Sequence, residues 1–509
     1  MIPYLIIIPL LGAFAMPLMG LAGRKAGELW AVIVTLLTFG VSIDVFNTVW
    51  KKGILVYTLG AKSPIGKGVD FPVRIVWEVD LLGALLALVV AFVTLVVVVY
   101  SIEYMKHDTG LEKYYTLVML LEVGMLGIAM TGDLFNFYVF FEITGIASYA
   151  LVAFRNDTWE GIEAGIKYMF AGSLASSLVL LGVVLLYGQY GTLTMAYLSK
   201  MITGNPTFTS RVALGLLIGG LLFKSGAVPV HMWLADAHPA APSSISAMLS
   251  GLVIKLGGVY AITRLAFSVF GGGTNLRTLG WVVILFACAT LIVGNAMAVV
   301  QTDMKRLLAY SSVGQIGYIL LGVGIGLAAY GSEVGNVALA GAIYHTVNHA
   351  LIKALLFLIA GAVIHNLGTR NLNELSGIAR RMPITSFAFL VGAMAIIGVP
   401  PMNGFASKWL IYESSALFNP LVGVIAIIGT AFSFAAYIRV VFTFLGRPCE
   451  RVMQAQEPGK AMLLPMLILV AAIVLTGLFP WIISDRVMLP AAKMLENTGN
   501  YVSAVLGGA

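Results

Sequence analysis

Four lysines lie inside long apolar stretches of the sequence: Lys224, Lys255, Lys353 and Lys408. An ionised lysine at the centre of a lipid bilayer costs roughly 2.5–3.5 kcal/mol on the insertion scale, and residues kept at such a cost usually serve a function. Because burial favours the neutral amine, a lysine in this setting can release and recover a proton near neutral pH. The four side chains are therefore predicted to carry protons.

Glu142 is a carboxylate at a depth comparable to that of the lysines. It lies eight residues into the apolar segment LFNFYVFFEITGIASYALV, about 12 Å from the start of that segment at 1.5 Å per residue. A carboxylate that approaches Lys224 stabilises the protonated amine, and one that withdraws lets the proton leave. Movement of Glu142 would then act as a switch. The alternative is that these charged groups snorkel to the surface or form static ion pairs that hold helices together.

His345, His349 and Lys353 occur at positions i, i+4 and i+8 of the segment AIYHTVNHALIKALLFL. This spacing places the three side chains on one face of a helix. Since histidine titrates near neutral pH, the column is predicted to relay protons. A metal site would need converging carboxylates, and none is evident in the sequence around the column.

Three further polar residues, His231, Asp236 and His238, follow Pro229 in the segment AVPVHMWLADAHP. One interpretation is that they continue a water path to one surface, as groups for proton uptake or release. The other is that they cap a broken helix and the turn that follows it. Both interpretations are open at this stage.

The composition identifies an all-α integral membrane protein. Hydrophobic residues make up 60% of the chain and charged residues 10%, against roughly 25% charged residues in soluble proteins. Apolar stretches near 20 residues are spanning helices, because only a helix satisfies its own backbone in hydrocarbon. Fourteen spans are predicted, at residues 2–22, 28–50, 79–101, 114–131, 134–154, 163–188, 211–237, 243–269, 278–299, 304–326, 334–367, 384–417, 421–446 and 461–483.

The seventh and twelfth predicted spans are too long for a straight crossing, and each contains a helix breaker. Pro229 follows Lys224 by five residues, and Pro400-Pro401 precede Lys408. Interrupted helices at matching places in two halves predict inverted repeats, here the five-helix units of spans 4–8 and 9–13. Each unit also carries a tryptophan near its break, Trp233 or Trp409. The predicted divisions are three N-terminal spans (1–110), the two repeats (111–270 and 271–447), and the last span with its tail (448–509).

Basic residues predict the orientation in the membrane. We counted the Lys and Arg residues in the connections between spans, leaving aside the long loop between spans 2 and 3. Most of them, Lys305 included, fall in the odd-numbered connections. If those connections are cytoplasmic, both termini are extracytoplasmic, and Arg264 falls in a connection on the same side as the termini. The net charge of +7 therefore reports topology and gives no indication of a nucleic-acid partner.

Redox cofactors and metals are not expected in this chain. Cys288 and Cys449 lie far apart in the sequence and form no CxxC pair, which argues against iron–sulfur clusters and structural zinc. The sequence contains no P-loop and no GxGxxG motif after a strand. We therefore expect no redox chemistry in the chain itself.

Four segments together resemble the antiporter-like subunits of the complex I superfamily: FKSGAVPVHMWLADAHPAAPSSISAMLSGLVIKLGGVY, FFEITGIASYALV, DMKRLLAYSSVGQIGY and HTVNHALIKALLFL. The family includes the proton-pumping membrane subunits of NADH dehydrogenase, the A-type and D-type members of Mrp sodium/proton antiporters, and counterparts in archaeal membrane-bound hydrogenases and sulfur reductases. The likeness covers about residues 75 to 445. The chain looks most like the D-type Mrp member or its counterpart in a membrane-bound hydrogenase.

The resemblance implies a role for each candidate residue. Glu142 and Lys224 match the carboxylate–lysine pair of the family, and Lys255 matches its bridging lysine. His345 and His349 match polar positions of span 11. Lys408 matches the terminal residue of the path, which is glutamate in some members.

Three functions compete at this stage. The first is a proton-translocating subunit of a redox-driven complex in the plasma membrane, with other membrane subunits and a hydrogenase-like or dehydrogenase-like peripheral arm as partners. The second is a subunit of a secondary antiporter that exchanges Na⁺ for H⁺ and has no redox partner. The third, a subunit that itself binds quinone or haem, predicts histidines paired between different spans. His345 and His349 share one helix, which disfavours it.

Overall fold

The computed structural model describes residues 1–59, 75–271 and 276–507 of the chain. They form a bundle of helices and one two-stranded antiparallel sheet. The helices are α1 (Tyr4–Leu21), α2 (Arg24–Lys52), α3 (Leu81–Tyr104), α4 (Leu111–Met130), α5 (Leu134–Val152), α6 (Trp159–Tyr190), α7 (Met195–Gly204), α8 (Phe208–Ser225), α9 (Met232–Ala240), α10 (Ser243–Val269), α11 (Leu276–Val300), α12 (Met304–Ala328), α13 (Glu333–Leu367), α14 (Pro383–Ile397), α15 (Asn403–Phe418), α16 (Pro420–Leu445), α17 (Lys460–Leu478), α18 (Leu489–Glu496) and α19 (Thr498–Leu506). The strands are β1 (Leu55–Leu59) and β2 (Ile75–Val79).

Thirteen helices of the described residues are long and apolar enough to cross a membrane. They correspond to the predicted spans in order, with α8 and α9 together forming the seventh. The predicted twelfth span is the pair α14 and α15, whose 15 and 16 residues are each short of the roughly 20 that a crossing needs. The prediction of an all-α membrane protein is confirmed.

Both predicted helix breaks are present. Gly226 ends α8 with φ 72°, and Gly398 ends α14 with φ 91°. Glycine is favoured at these positions because other residues pay a steric cost in the left-handed conformation. Prolines in the following segments supply no backbone N–H that could continue either helix. The inverted relation between the two five-helix units and the division of the chain at 110, 270 and 447 stay predictions.

Helix α10 is buried along its whole length. It contains π-helical turns at Leu249–Val253 and Lys255–Tyr260, a feature frequently found at functional sites. Gly258 brings α10 against the end of α8, since a Cβ there would lie 2.5 Å from the Cβ of Ser225. Gly251 brings it against α13, where a Cβ would lie 3.1 Å from the Ala350 carbonyl oxygen.

The sheet precedes α3, in a region where the sequence predicted a continuous span from residue 79. Helix α3 begins only at Leu81, after β2 and the N-cap residue Asp80, which accepts a hydrogen bond from the Gly83 N–H (2.8 Å). Burial raises the pKa of Glu78 on β2 to about 7, against the opposing effects of Arg264 and of the Tyr501 hydroxyl. Residues 60–74 of the predicted long loop lie outside the described residues.

Two basic residues that the sequence assigned to connections are buried in helices. Arg264, near the end of α10, is 6% exposed and forms a bidentate ion pair with Asp80, with both N–O distances 2.7 Å. Lys305, in the first turn of α12, is 3% exposed and donates to the carbonyl oxygens of Pro239 (3.2 Å) and Ala241. Both residues fall inside predicted spans (243–269 and 304–326) whose ends agree with the helices to within two residues. The error lies in counting them with the connections, because their side chains are buried against these partners.

Candidate functional site

Lys224 lies in an aromatic cage at the end of α8, and its side chain is 1% exposed. The amine donates a hydrogen bond to the Tyr149 hydroxyl (3.1 Å). It also lies 4.9–5.3 Å from the ring centroids of Phe141, Tyr149 and Tyr168. Aromatic faces at this distance attract a cation, so the cage stabilises the protonated amine without a direct counter-ion.

Glu142 lies on α5 and is only partly buried. Its carboxylate interacts electrostatically with Lys224. Among the ion pairs within 4.0 Å that the described residues form, none joins the two groups. The predicted carboxylate–lysine couple is thus an interaction across a gap, and the direct partner of Lys224 is Tyr149.

The cage is held in place by a stacked pair of rings and by a glycine. Tyr168 on α6 stacks on Trp233 of α9 at 4.2 Å with an interplanar angle of 2°. Trp233 in turn donates to the Phe223 carbonyl (3.3 Å), which ties α9 to α8. Gly172 makes room for Tyr149, because a Cβ at residue 172 would lie 1.8 Å from the Tyr149 hydroxyl oxygen.

Lys255 lies on the buried α10 and is 1% exposed. Its amine donates to the Ser250 carbonyl within the π-helical region, and the Ser250 hydroxyl lies 2.7 Å from the Ser312 hydroxyl on α12. Two residues further along α10, Gly257 lies against α8, since a Cβ at residue 257 would lie 3.6 Å from Lys224 Cγ. Helix α10 therefore lies between Lys224 on α8 and the buried groups on α13.

His345 and His349 face each other along α13, with ring centroids 6.0 Å apart. The Nε2 atom of His345 lies 3.0 Å from Gln315 Oε1, and its Nδ1 atom lies 3.0 Å from Ser407 Oγ. His349 is fully buried, and neither of its ring nitrogens has a hydrogen-bond partner among the described residues. A neutral imidazole left unpaired in this way is free to accept a proton from one side and donate one on the other.

Lys353, one helical turn beyond His349, is fully buried on the α12 and α16 side of α13. Its amine donates to the Leu308 carbonyl (3.0 Å), the Ser311 hydroxyl (2.9 Å) and the Tyr437 hydroxyl (3.2 Å). All three acceptors are neutral. The site can hold either charge state of the amine without a counter-ion.

Lys408 lies in the second turn of α15 and points at the end of α14. Its amine donates to the carbonyl oxygens of Ile396 (2.9 Å) and Ile397 (3.2 Å) and lies 4.6 Å from the Tyr318 ring centroid. The carbonyl end of a helix carries partial negative charge. The broken helix therefore supplies a fixed dipole to the last predicted carrier.

The inner amines and histidines form one electrostatic group. Lys353 interacts with Lys255 and Lys408, and His349 interacts with all three of these lysines and with His345. The structure thus brings together five of the seven predicted carriers around α10 and α13. Lys224 and Glu142 form a separate pair on the other side of α10.

Asp236 lies in a charged mouth on the surface of the bundle. It forms ion pairs with Lys167 (3.0 Å) and Arg306 (3.0 Å), which line the same cavity of about 370 Å³ as Glu160 and Glu163. This side chain does not cap a helix. It belongs to an ionic network open to solvent.

His231 and His238 lie deeper than Asp236. His238 is fully buried, stacks on Phe357 at 4.8 Å, and has no hydrogen-bond partner for either ring nitrogen in the described part of the chain. His231 is 7% exposed, makes no side-chain capping bond to α9, and lies 6.2 Å from the Tyr310 ring. His231 also bonds to the backbone of Pro229 in the break, and both interpretations of these residues stay predictions.

Sequence reasoning missed the cage residues and Lys305. Tyr149 lies seven residues after Glu142 on α5, a spacing that places both on one helical face, but a tyrosine in an apolar span resembles ordinary packing. Lys305 follows an N-cap aspartate and looked like a loop residue. In the described residues there is no group of three or more His, Cys, Asp or Glu side chains that could hold a metal ion.

A family model described as "NADH:quinone oxidoreductase/Mrp antiporter, TM" matches residues 131–433. The chain belongs to this family. A second model, described as "NADH-Ubiquinone oxidoreductase (complex I), chain 5 N-terminus", matches residues 67–115. The protein is thus an antiporter-like membrane subunit of the complex I type, as the sequence motifs indicated.

Relatives occur both in redox complexes and in antiporters. NADH-quinone oxidoreductase subunit N of Desulforudis audaxviator (strain MP104C) is 36% identical over 425 residues, which cover 79% of this chain and 81% of that one. A chain of the membrane-bound sulfane sulfur reductase, an archaeal respiratory membrane complex, aligns with a TM-score of 0.89 and 31% identity. A chain of the Mrp complex from Dietzia sp. DQ12-45-1b aligns with a TM-score of 0.88 and 27% identity. Both alignments cover 99% of each chain.

Proposed function

We propose that this chain translocates protons as a membrane subunit of a redox-driven ion-pumping complex, such as a membrane-bound hydrogenase. The observation that carries the proposal is the buried series of ionisable groups around α10, which begins in the aromatic cage and ends at Lys408. Each member lies where a proton can be held without a fixed counter-ion. A family relative in a sulfur-reducing respiratory complex, 31% identical over 99% of the chain, supports the redox assignment.

In this proposal protons enter from the charged mouth at Asp236 and pass His231 and His238 toward the interior. They reach Lys224, move by way of Lys255 to His349 and Lys353, and leave through Lys408. His345 holds the last section of the path in position through its hydrogen bonds to α12 and α15. The electrostatic contacts among Lys255, His349, Lys353 and Lys408 support the inner section of this path.

Glu142 acts as the element that partners control. It lies partly exposed at the edge of the bundle, outside ion-pair distance of Lys224, so a neighbouring subunit can move it without breaking a buried contact. An approach of the carboxylate favours the protonated cage lysine, and its withdrawal favours release. The cage then alternates between holding and passing a proton.

The energy comes from outside this chain. Moving one charge against 100 mV requires about 2.3 kcal/mol, and the proposal assigns its supply to other membrane subunits and to a hydrogenase-like or dehydrogenase-like peripheral arm. The complex is placed in the plasma membrane with both termini of this chain extracytoplasmic, as the positive-inside rule favours. The exposed apolar side chains of the outer helices face lipid or these subunits.

A secondary Na⁺/H⁺ antiporter is the second candidate. The observation that favours it is the alignment with a chain of the Mrp complex at a TM-score of 0.88. The two candidates differ in their partners rather than in this chain. Purification of the native complex decides between them, because redox subunits accompany the chain only in the first case.

The test of proton translocation is Lys224→Ala in the assembled complex, with proton uptake measured in sealed vesicles. We expect uptake to fall at least tenfold, since the substitution removes the first carrier, while the complex still assembles. Lys200→Ala is the matched control, because Lys200 is exposed on α7. Undiminished uptake would reject the carrier role, and loss of assembly would favour a structural role for the buried amine.

A further inference from the structure

Glu122 on α4 is a buried carboxyl group that the proposed path does not use. It is fully buried, and neither oxygen has a hydrogen-bond partner among the described residues. Thr94 on α3 is also fully buried, and its hydroxyl likewise has no partner in that part of the chain. An unpaired carboxylate in an apolar interior is costly, so Glu122 either keeps its proton or holds a cation.

Thr94 and Glu122 lie within about one helical turn of the same depth on adjoining helices. The hydroxyls of Ser101 on α3 and Tyr114 on α4 are 2.9 Å apart, which fixes the relative height of these antiparallel helices. Thr94 lies seven residues from that contact and Glu122 eight, or about 10.5 and 12 Å at 1.5 Å per residue. Residues seven apart share a helical face, so Thr94 faces α4 as Ser101 does.

Thr38 on α2 reaches the same depth. Val34 of α2 and Met119 of α4 meet at Gly12 of α1, where a Cβ would lie 2.5 Å from a Val34 methyl carbon and 3.2 Å from the Met119 sulfur. Helices α2 and α4 run in the same direction, because one span separates them. Thr38 and Glu122 follow these contacts by four and three residues, or about 6 and 4.5 Å.

A third contact agrees with this placement. The rings of Phe39 on α2 and Phe92 on α3 lie 5.7 Å apart, which puts Thr38 level with residue 93, next to Thr94. The Thr38 hydroxyl is fully buried and donates to the Val34 carbonyl (2.9 Å), so its oxygen lone pairs remain available as acceptors. Three helices thus present oxygen atoms within about one helical turn of one level.

We propose that Glu122, Thr38 and Thr94 form a site for a monovalent metal cation, which displaces the proton of Glu122. Carboxylate and hydroxyl oxygens are hard ligands that suit alkali and alkaline-earth cations. A single carboxylate balances one positive charge, whereas a divalent ion would leave an uncompensated charge in the apolar interior. One cation enters as one proton leaves, so the net charge of the buried site is zero in both states.

A cavity of about 320 Å³ leads toward this site from one surface. Its lining includes Glu28, ion-paired with Arg24, Asp108, ion-paired with Arg155, and Glu112, which is the one acidic side chain of the described lining outside these pairs and can attract cations. Tyr115 lies at the inner end, with a buried hydroxyl that has no partner within the described ranges. It precedes Glu122 by seven residues and therefore lies on the same face of α4.

The inference does not depend on the proposed proton path, which lies on other helices, and the test keeps the two apart. The purified full-length chain is heated in detergent with increasing NaCl, at constant ionic strength set with choline chloride and at alkaline pH. We expect Na⁺ to raise the Tm of the native chain in a saturable manner. The apparent Kd for Na⁺ should rise as the pH falls, by up to about tenfold per pH unit, because protons compete for Glu122.

Matched variants locate the effect. Glu122→Gln should abolish the Na⁺ response, and Thr94→Val should raise the apparent Kd about tenfold, the effect of one lost ligand. Thr263→Val is the control, since it removes a buried hydroxyl that bonds only its own helix on α10. Glu142→Gln should also leave the response intact, whatever it does to proton transport.

Two outcomes would overturn the site. One is a native chain whose Tm responds equally to NaCl and choline chloride, which would reflect ionic strength alone. The other is an unchanged Na⁺ response in Glu122→Gln. If Glu122→Gln does not fold, the comparison of Thr94→Val with Thr263→Val decides, and equal Kd values in those two variants reject the proposal.

Discussion

The two broken helices hold their lysines in opposite ways. At the first break Lys224 is surrounded by aromatic rings, donates one hydrogen bond to a side chain, and senses a carboxylate that lies beyond ion-pair distance. At the second break Lys408 donates to the carbonyl oxygens of Ile396 and Ile397, the end of a helix. In the proposed function the first lysine is tuned by Glu142, which a neighbouring subunit moves, and the second by a fixed backbone dipole. That proposal therefore assigns control to the first break.

The tryptophans near the breaks differ as well. Trp233 is 6% exposed and stacks on Tyr168, whereas Trp409 is 56% exposed. The sequence presented them as a matching pair. Of these two tryptophans, only Trp233 is part of the site. The two halves are therefore similar in the position of the helix break but differ in the side chains around it.

The largest expected difference between the two halves is in how much stability each loses when its tryptophan is replaced. Trp233→Ala should lower the free energy of unfolding by about 3–5 kcal/mol, as for other buried aromatic truncations, because the Tyr168 stack and the bond to α8 are lost. Trp409→Ala should change it by no more than about 0.5 kcal/mol, as expected for an exposed side chain. Denaturant unfolding of the purified chain in detergent measures both. Equal losses would contradict the asymmetry.

Replacement of each lysine by methionine tests the difference in hydrogen bonding. Lys408→Met leaves two buried carbonyl oxygens without their donor and should cost about 1–3 kcal/mol of unfolding free energy. Lys224→Met should cost less, because only the Tyr149 hydroxyl loses a partner and the rings can close on an apolar side chain. Thermal unfolding compares the variants, with the exposed Lys200→Met as control. A larger loss at Lys224 would show that the cage depends on the charge.

The smallest expected effect comes from the two glycines that end the first halves of the broken helices. Gly226→Ala and Gly398→Ala should each cost about 1–2 kcal/mol, since both residues adopt left-handed backbone angles. A Cβ at residue 398 would also lie 3.0 Å from the Lys408 side chain, whereas at residue 226 the nearest atom is 3.6 Å away in Leu234. Proton uptake in vesicles should therefore fall more in Gly398→Ala. A larger fall in Gly226→Ala would contradict this.

Much of the fold followed from simple physics. A span must be long, apolar and helical in lipid, and proline with glycine must interrupt it, so the positions of the spans and of both breaks could be predicted. The depth of Lys224 and Lys255 in their helices followed from the rise of about 1.5 Å per residue, and both side chains are buried. The shared face of His345 and His349 followed from helical periodicity in the same way.

What could not be predicted depends on contacts between helices. The ring stack of Tyr168 on Trp233 joins residues that are far apart in sequence, and nothing in either segment marks them as partners. The burial of Arg264 could not be predicted because its counter-ion Asp80 lies 184 residues earlier, outside any local pattern. The antiparallel pair of β1 and β2 was missed because β2 continues directly into an apolar helix.

The buried amines of Lys255, Lys353 and Lys408 lie close to one another around α13, and their mutual repulsion limits how many of them can be protonated at once. No carboxylate in residues 1–59, 75–271 and 276–507 bonds to Lys255, Lys353 or Lys408, whose described acceptors are all neutral. Since each ammonium repels the next in a medium of low dielectric, occupancy of one position discourages occupancy of its neighbours. In the proposed function such a row fills and empties singly, so each arriving proton advances only when the one ahead has gone.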